Sequence, residues 1–148
     1  MPTSSRFAVA THALVVIASD PSRAHRSEDL AAGARTSPTV IRRLLSSLAK
    51  AKITGSKLGV GGGAVLAREA EAITLADVYD AVEEGTLFAM PRCAPDEGCV
   101  IGANIGPLVR DVTGRAEAAL RAELSATTIA DLLAAMPRSA RVAQTVTA

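Results

Sequence analysis

Apolar residues recur at helical spacing along most of the chain, and that spacing outlines most of the elements. Phe7, Ala10, Thr11, Leu14, Ile17 and Ala18 fall at helical spacing and predict a first helix over about 5–18. Asp20-Pro21-Ser22 then breaks the pattern. Ser27 is a favourable N-cap, and Glu28 and Asp29 suit the positive end of a short second helix that closes near Gly33. Ser37-Pro38, a cap followed by proline at the first helical position, starts a third helix reaching about Ala51. Its apolar face is Ile41, Leu44, Leu45 and Leu48. Thr39, Arg42, Arg43, Ser46 and Lys50 share the opposite side.

Downstream the period changes. Ile53 to Ser56 and Ala64 to Leu66 flank Lys57-Leu58-Gly59-Val60-Gly61-Gly62-Gly63, which reads as a two-stranded hairpin with a glycine tip. Thr74-x-x-Asp77 is a capping box that opens a fourth helix ending near Gly85. Residues 86–100 read as loop, and a long helix is expected from about 104 to 126. Ile105, Leu108, Val112, Ala116, Ala119 and Leu120 lie along one seam of it. The spacings of 3, 4, 4 and 3 suit an antiparallel or crossing helix pair between two copies. Pro107 fits that helix only if the first turn begins near Asn104. Thr128-x-x-Asp131 caps a last helix with Leu132, Leu133 and Met136, stopped by Pro137.

The fold expected is mainly α with a small β-wing: a winged helix-turn-helix with a long dimerisation helix. Residues 1–85 form the DNA-binding domain, 86–103 a cysteine-containing sensor loop, 104–136 the dimerisation and C-terminal helices, and 137–148 a flexible tail.

Charge changes the picture. The 148 residues carry 16 Lys+Arg and 15 Asp+Glu, a formal charge of +1, which on its face argues against nucleic acid. Residues 1–68, however, hold ten Lys/Arg against three Asp/Glu, a net of +7. Residues 69–148 hold six against twelve, a net of −6. A basic module joined to an acidic one is the reading this asymmetry supports. The 2% aromatic content speaks against single-strand binding by base stacking. Duplex DNA is the expected partner, with Arg42 and Arg43 toward guanine edges and Ser37, Pro38, Thr39, Ser46 and Lys50 along the phosphates. On the wing, Lys57, Gly59, Gly61 and Gly62 allow close approach to the backbone of the duplex. A solvated helix face explains the third helix alone equally well; the adjoining wing tips the balance.

Several chemistries drop out. No Lys-Ser or Lys-Thr follows the glycine cluster, and no buried strand precedes it, so neither phosphate-loop nor dinucleotide binding fits. Ser-His-Asp order, HExxH and paired carboxylates are all missing, so an enzyme has no support. His12 and His25 read as ordinary core or surface fittings. Cys93 and Cys99, with five residues between them, make neither a CxxC pair nor a zinc site. A disulfide within the loop, one between subunits, or two inert thiols all remain open. No apolar run spans a bilayer, and Thr11 and His12 interrupt the N-terminal stretch that could pass for a signal peptide; a cytoplasmic location is expected.

In this order the elements carry a family resemblance. Ser5-Arg6-Phe7-Ala8-Val9-Ala10, Ser37-Pro38-Thr39-Val40-Ile41-Arg42-Arg43-Leu44-Leu45, Gly59-Val60-Gly61-Gly62-Gly63, Ile73-Thr74-Leu75-Ala76-Asp77-Val78 and Cys99-Val100-Ile101-Gly102-Ala103-Asn104-Ile105 resemble the Rrf-two family of bacterial winged-helix regulators, over about residues 5–136. That family includes the iron–sulfur-cluster regulator, the nitric-oxide-sensing repressor and the cysteine-metabolism repressor. The resemblance implies a homodimeric repressor on a roughly palindromic operator, with sensing at Cys93 and Cys99. Cluster-binding relatives carry three cysteines. Here Asn104, Ile105 and Gly106 stand where the third is expected, and Arg6 aligns with an acidic ligand of some relatives. No cofactor is therefore expected, and the reading is a thiol-responsive regulator. The alternatives are a regulator governed by an iron–sulfur cluster and a ligand-responsive one with inert cysteines. Leu58 replaces an arginine common in relatives, which implies a different sequence preference.

Overall fold

In α1 (Arg6–Ser19), Ala10, Ala13, Leu14 and Ile17 recur every three or four residues and all four are buried. The computed structural model describes residues 4–85, 87–90 and 99–137. Two further helices pack against α1 and each other: α2 (Ser27–Gly33), through Leu30 and Ala31, and α3 (Pro38–Lys50), through Ile41, Leu44 and Leu48. Each large aliphatic side chain buried in this way contributes about 1.5–3 kcal/mol. Ser37 caps α3, its Oγ accepting the Val40 N–H at 3.3 Å. The cap expected of Ser27 is not made. Ser27 is already the first helical residue and Arg26 stands at the N-cap, in extended conformation.

The hairpin follows as expected. β1 (Thr54–Lys57) and β2 (Gly63–Leu66) pair antiparallel, with Thr54 opposite Leu66 and Lys57 opposite Gly63. Their outer partner is His25, in the turn before α2. Its N–H donates to the Ala64 carbonyl at 2.9 Å, and the Ala64 N–H returns a bond to the His25 carbonyl at 2.8 Å. The wing is thereby tied to the helix-turn-helix.

After a 3₁₀ turn at Ala70–Ala72 comes α4 (Leu75–Val82), opened by the capping box of Thr74 and Asp77. It ends three residues earlier than the Gly85 boundary suggests, at a Glu83 C-cap in extended conformation. The capping box of Thr128 and Asp131 likewise opens α6 (Ile129–Ala135). An isolated bridge between Thr74 and Thr128 sets the two caps side by side, with the Leu75 N–H bonded to Thr127 O and the Ile129 N–H to Ile73 O, both at 2.9 Å. Ile129 is therefore buried in one core with Leu14, Leu48, Ile73 and Val82. The last helix, grouped by sequence with the long helix, packs into the N-terminal unit.

The long helix, α5 (Val100–Ser125), starts four residues earlier than expected and holds Pro107 in its interior. The early start has a local cause. Cys99 caps the helix, its Sγ accepting the Gly102 N–H at 3.2 Å, and the Asn104 side-chain amide donates to Val100 O at 2.7 Å. Pro107 lacks the N–H that the carbonyl of Ala103 would otherwise accept. At its other half α5 is fastened to the body by Arg121–Asp80 at 2.9 Å and by the Leu87 N–H to Glu117 at 3.0 Å.

Candidate nucleic-acid interface

The outer face of α3 exists because its inner face is spent on the core. With Ile41, Leu44 and Leu48 buried, helical geometry turns Thr39, Arg42, Arg43, Ser46 and Lys50 to solvent, and all five are exposed. Arg43, Ser46 and Lys50 share a cleft of about 520 Å³ with Arg6 and Glu84, which pair with each other at 3.1 Å. Arg42 points toward α2, where its guanidinium meets Glu28 at 2.5 Å. Ser37 is exposed, but its hydroxyl is engaged as the α3 cap, and Pro38 occupies the first helical position.

Lys57, Gly59 and Gly61 are exposed at the wing, beside a half-buried Gly62. The tip is a glycine structure by necessity at three points. Gly59 and Gly61 have φ of +91° and +74°, where side chains are disfavoured. At Gly62 a Cβ would lie 2.3 Å from the Lys57 carbonyl oxygen. Leu58 and Val60 stand almost fully in solvent between them.

Two basic residues beside this face escape sequence reasoning. Arg35, in the turn into α3, and Lys52, just after it, are exposed and take left-handed conformations with φ of +50° and +57°. Glycine or asparagine normally marks such positions, so no signal announces them. Glu28 was legible only as a helix-dipole partner. Its carboxyl is held below the usual range by its own backbone N–H and then by the Arg42 hydrogen bond.

The seam read on α5 lies in the open: Ile105, Leu108 and Val112 are 48%, 64% and 56% exposed, and Ala116 and Ala119 are exposed too. Leu120 is half-buried, on the side that also carries Thr113, Glu117 and Leu124. None of the α5 residues is buried. Cys99 is exposed at the start of that helix, while Cys93 and the tail from 138 onward lie outside the described residues.

Metal donors do not converge. His25 is buried under the wing with its Nε2 3.0 Å from the Asp20 carbonyl, and His12 lies exposed on α1. No group of three or more His, Cys, Asp or Glu that could hold a metal occurs among the described residues. Nor, among them, is any helix long and apolar enough to cross a membrane.

Three comparisons bear on this arrangement. The Rrf2 family model, described as an iron-dependent transcriptional regulator, matches residues 3–135. YwnA of Bacillus subtilis (strain 168), described as an HTH-type transcriptional regulator, is 34% identical over 131 residues, covering 88% of this chain and 96% of the relative. Among solved structures, one described as a DNA-binding protein is 32% identical with a TM-score of 0.70, covering 87% of this chain and 99% of that one. Another, a transcriptional regulator from Lactobacillus plantarum, is 27% identical with a TM-score of 0.76, covering 95% of each chain. The family and its curated relative are transcriptional regulators, not enzymes, and the winged helix of these proteins is the fold described above. The chain belongs to the Rrf2 family of DNA-binding transcriptional regulators.

Proposed function

We propose that this regulator acts as a homodimeric repressor in the cytoplasm, placing two copies of α3 in successive major grooves of a roughly palindromic operator. The observation that carries the reading is α5. A 26-residue helix, about 39 Å long at 1.5 Å per residue, has no buried residue and displays Ile105, Leu108 and Val112 to solvent. A helix of this kind gains most by pairing with its own copy, and a two-fold pair presents two equivalent recognition helices. On each, Arg42 and Arg43 read base edges, while Ser37, Pro38, Thr39, Ser46, Lys50 and the wing residues Lys57, Gly59, Gly61 and Gly62 hold the backbone. Analytical ultracentrifugation together with footprinting of bound duplex tests this. A dimer that protects two half-sites about one helical turn apart is expected, and a monomer protecting one half-site would overturn it.

The proposed signal acts on Cys93 and Cys99. Because the Cys99 sulfur caps α5, oxidation or modification of it replaces the acceptor of the Gly102 N–H and loosens the first turn of the dimer helix. The recognition helices then change spacing or tilt and DNA affinity falls. In a DNA-shift assay the Cys93→Ser/Cys99→Ser double variant should ignore oxidant; a response equal to wild type removes the thiol mechanism.

Iron in the family description does not carry over. Iron–sulfur clusters take about four cysteine or histidine ligands. This chain has two cysteines and two histidines, and with His25 committed to the Asp20 carbonyl no more than three such ligands remain, Cys93, Cys99 and the exposed His12. A second reading, ligand control with inert cysteines, draws on an apolar cleft of about 520 Å³ between α1 and α6, lined in part by Phe7, Val15, Leu132 and Leu133. The Oγ1 of Thr11 in this lining is buried without a hydrogen-bond partner. If the double variant keeps its oxidant response, this cleft is the next place to look.

A further inference from the structure

Arg42 is held, whereas the other cations of the α3 face are not. Its Nη2 donates to Glu28 Oε1 at 2.5 Å, across from α3 to the first turn of α2, and Glu28 Oε2 lies 3.8 Å from the Nε of Arg26. Arg43, Lys50 and Lys57 make no ion pair among the described residues. Of the two carboxylates beside this basic surface, Glu84 pairs with Arg6, whereas Glu28 engages the arginine whose base-edge role the helix position suggests.

Stability does not explain the pair. The two side chains are 58% and 47% exposed, and exposed ion pairs add little to folding. The consequence lies in what Arg42 can offer. A guanidinium has five N–H donors, so a carboxylate on one terminal nitrogen leaves others directed outward. Fixing the long side chain before contact lowers the ordering cost of a two-pronged bond to guanine O6 and N7. The same carboxylate repels phosphates whatever the sequence, and it partly neutralises Arg42 as a phosphate contact. Favouring one geometry while discouraging the others raises discrimination more than affinity.

We propose that Glu28 is a specificity-determining positioning residue: it orients Arg42 toward a base edge and opposes sequence-independent binding to the phosphate backbone. This rests on α3 being the recognition helix. Arg26, with its Nε 3.8 Å from the other carboxylate oxygen, shares the charge of Glu28.

The test uses the full-length protein and two probes: a short duplex recovered by the wild type from a random-sequence library, and a scrambled duplex of the same composition. Affinities for both are measured across a salt series for wild type, Glu28→Gln, Arg42→Gln and the double variant. Glu28→Gln should bind the scrambled duplex more tightly, with a salt slope steeper by about one unit as Arg42 becomes a phosphate contact. The selected-to-scrambled ratio should fall by about 5- to 10-fold, and adding Glu28→Gln to Arg42→Gln should leave that ratio unchanged. Glu28→Asp keeps the charge and shortens the reach, so it should lower the ratio with little change in slope. An unchanged ratio in Glu28→Gln, even with a shifted Tm, overturns the proposal, as does an equal fall in the Arg42→Gln background. A wild type that selects no sequence refutes the recognition-helix reading itself, a different failure from either of these.

Discussion

His25 and Ala64, 39 positions apart in the chain, exchange both backbone hydrogen bonds, at 2.9 and 2.8 Å, and this pair joins the wing to the turn that leads into α2. The neighbouring Gly63 makes the approach feasible. A Cβ there would lie 2.4 Å from the His25 carbonyl oxygen, and backbone cannot swing aside as a side chain can. Gly63→Ala should cost about 2–3 kcal/mol in urea or thermal unfolding and loosen the wing. Gly61→Ala is the matched comparison. Its φ is +74° with open space around it, so only the left-handed penalty of about 1–2 kcal/mol applies. A Gly63→Ala loss no larger than that of Gly61→Ala would contradict the steric account.

Arg43 and Lys50 should separate on DNA by kind of contact. Both are exposed along the α3 cleft, but Arg43 sits in the first half of the helix with Thr39, where base edges are reached. Arg43→Ala should cost about 1–3 kcal/mol on a selected duplex and relax preference at one position. Lys50→Ala, in the last turn, should weaken all duplexes alike and reduce the salt slope by about one. Titrations on matched and scrambled duplexes at several salt concentrations decide this, and a uniform loss for Arg43→Ala would reassign it to the backbone.

The features legible in sequence share a property: their signals are local. Ser37-Pro38 marks α3, Ile41, Leu44 and Leu48 mark its inner face, and the Thr-x-x-Asp boxes mark α4 and α6, all within a few residues. The exposure of Arg42, Arg43 and Lys50 follows from those signals by helix geometry. Features decided by distant partners were not readable. Nothing near His25 foretells Ala64, and nothing near Glu28 foretells Arg42, 14 residues on. The start of α5 is hidden in the sequence because cysteine is an unusual cap and Pro107 reads as a first-turn residue. Burial of Ile129 with Leu14 depends on the Thr74–Thr128 bridge, which no periodicity reports.

The cap of α6 should carry a pH dependence. Asp131 is held below the usual carboxyl value of 3.8, chiefly by the hydrogen bond from the Thr128 side chain and then by the Thr128 N–H. A folded-state pKa below the unfolded one stabilises the ionised form. The contribution is complete above about 3.8 and disappears as pH falls through the lower folded value. Asp131→Asn should therefore unfold more readily than wild type at neutral pH, and the two should converge in acid. Melts from pH 7 down to about 2 check this, and a gap that persists undiminished would show that charge is not what the cap uses.

Charge on the seam of α5 should separate association from folding. Leu108 and Val112 are exposed, one helical turn apart, whereas the ties of α5 to its own body run through Arg121, Asp80 and Glu117. Glutamate at either seam position is thus well solvated in a single copy and costs that copy little. In a two-fold pair the same substitution places two carboxylates near one another across an apolar contact, which costs several kcal/mol. Leu108→Glu/Val112→Glu should weaken self-association by about 100-fold or more while leaving the far-ultraviolet circular dichroism and the melting of the N-terminal unit nearly unchanged. On DNA, the variant should keep weak binding to a single half-site and lose the gain from a second one at the right spacing, because that gain comes from linking two recognition helices. If sedimentation shows the variant associating as wild type does, the Leu108–Val112 seam is not the contact surface, and the exposed apolar face of α5 requires another partner.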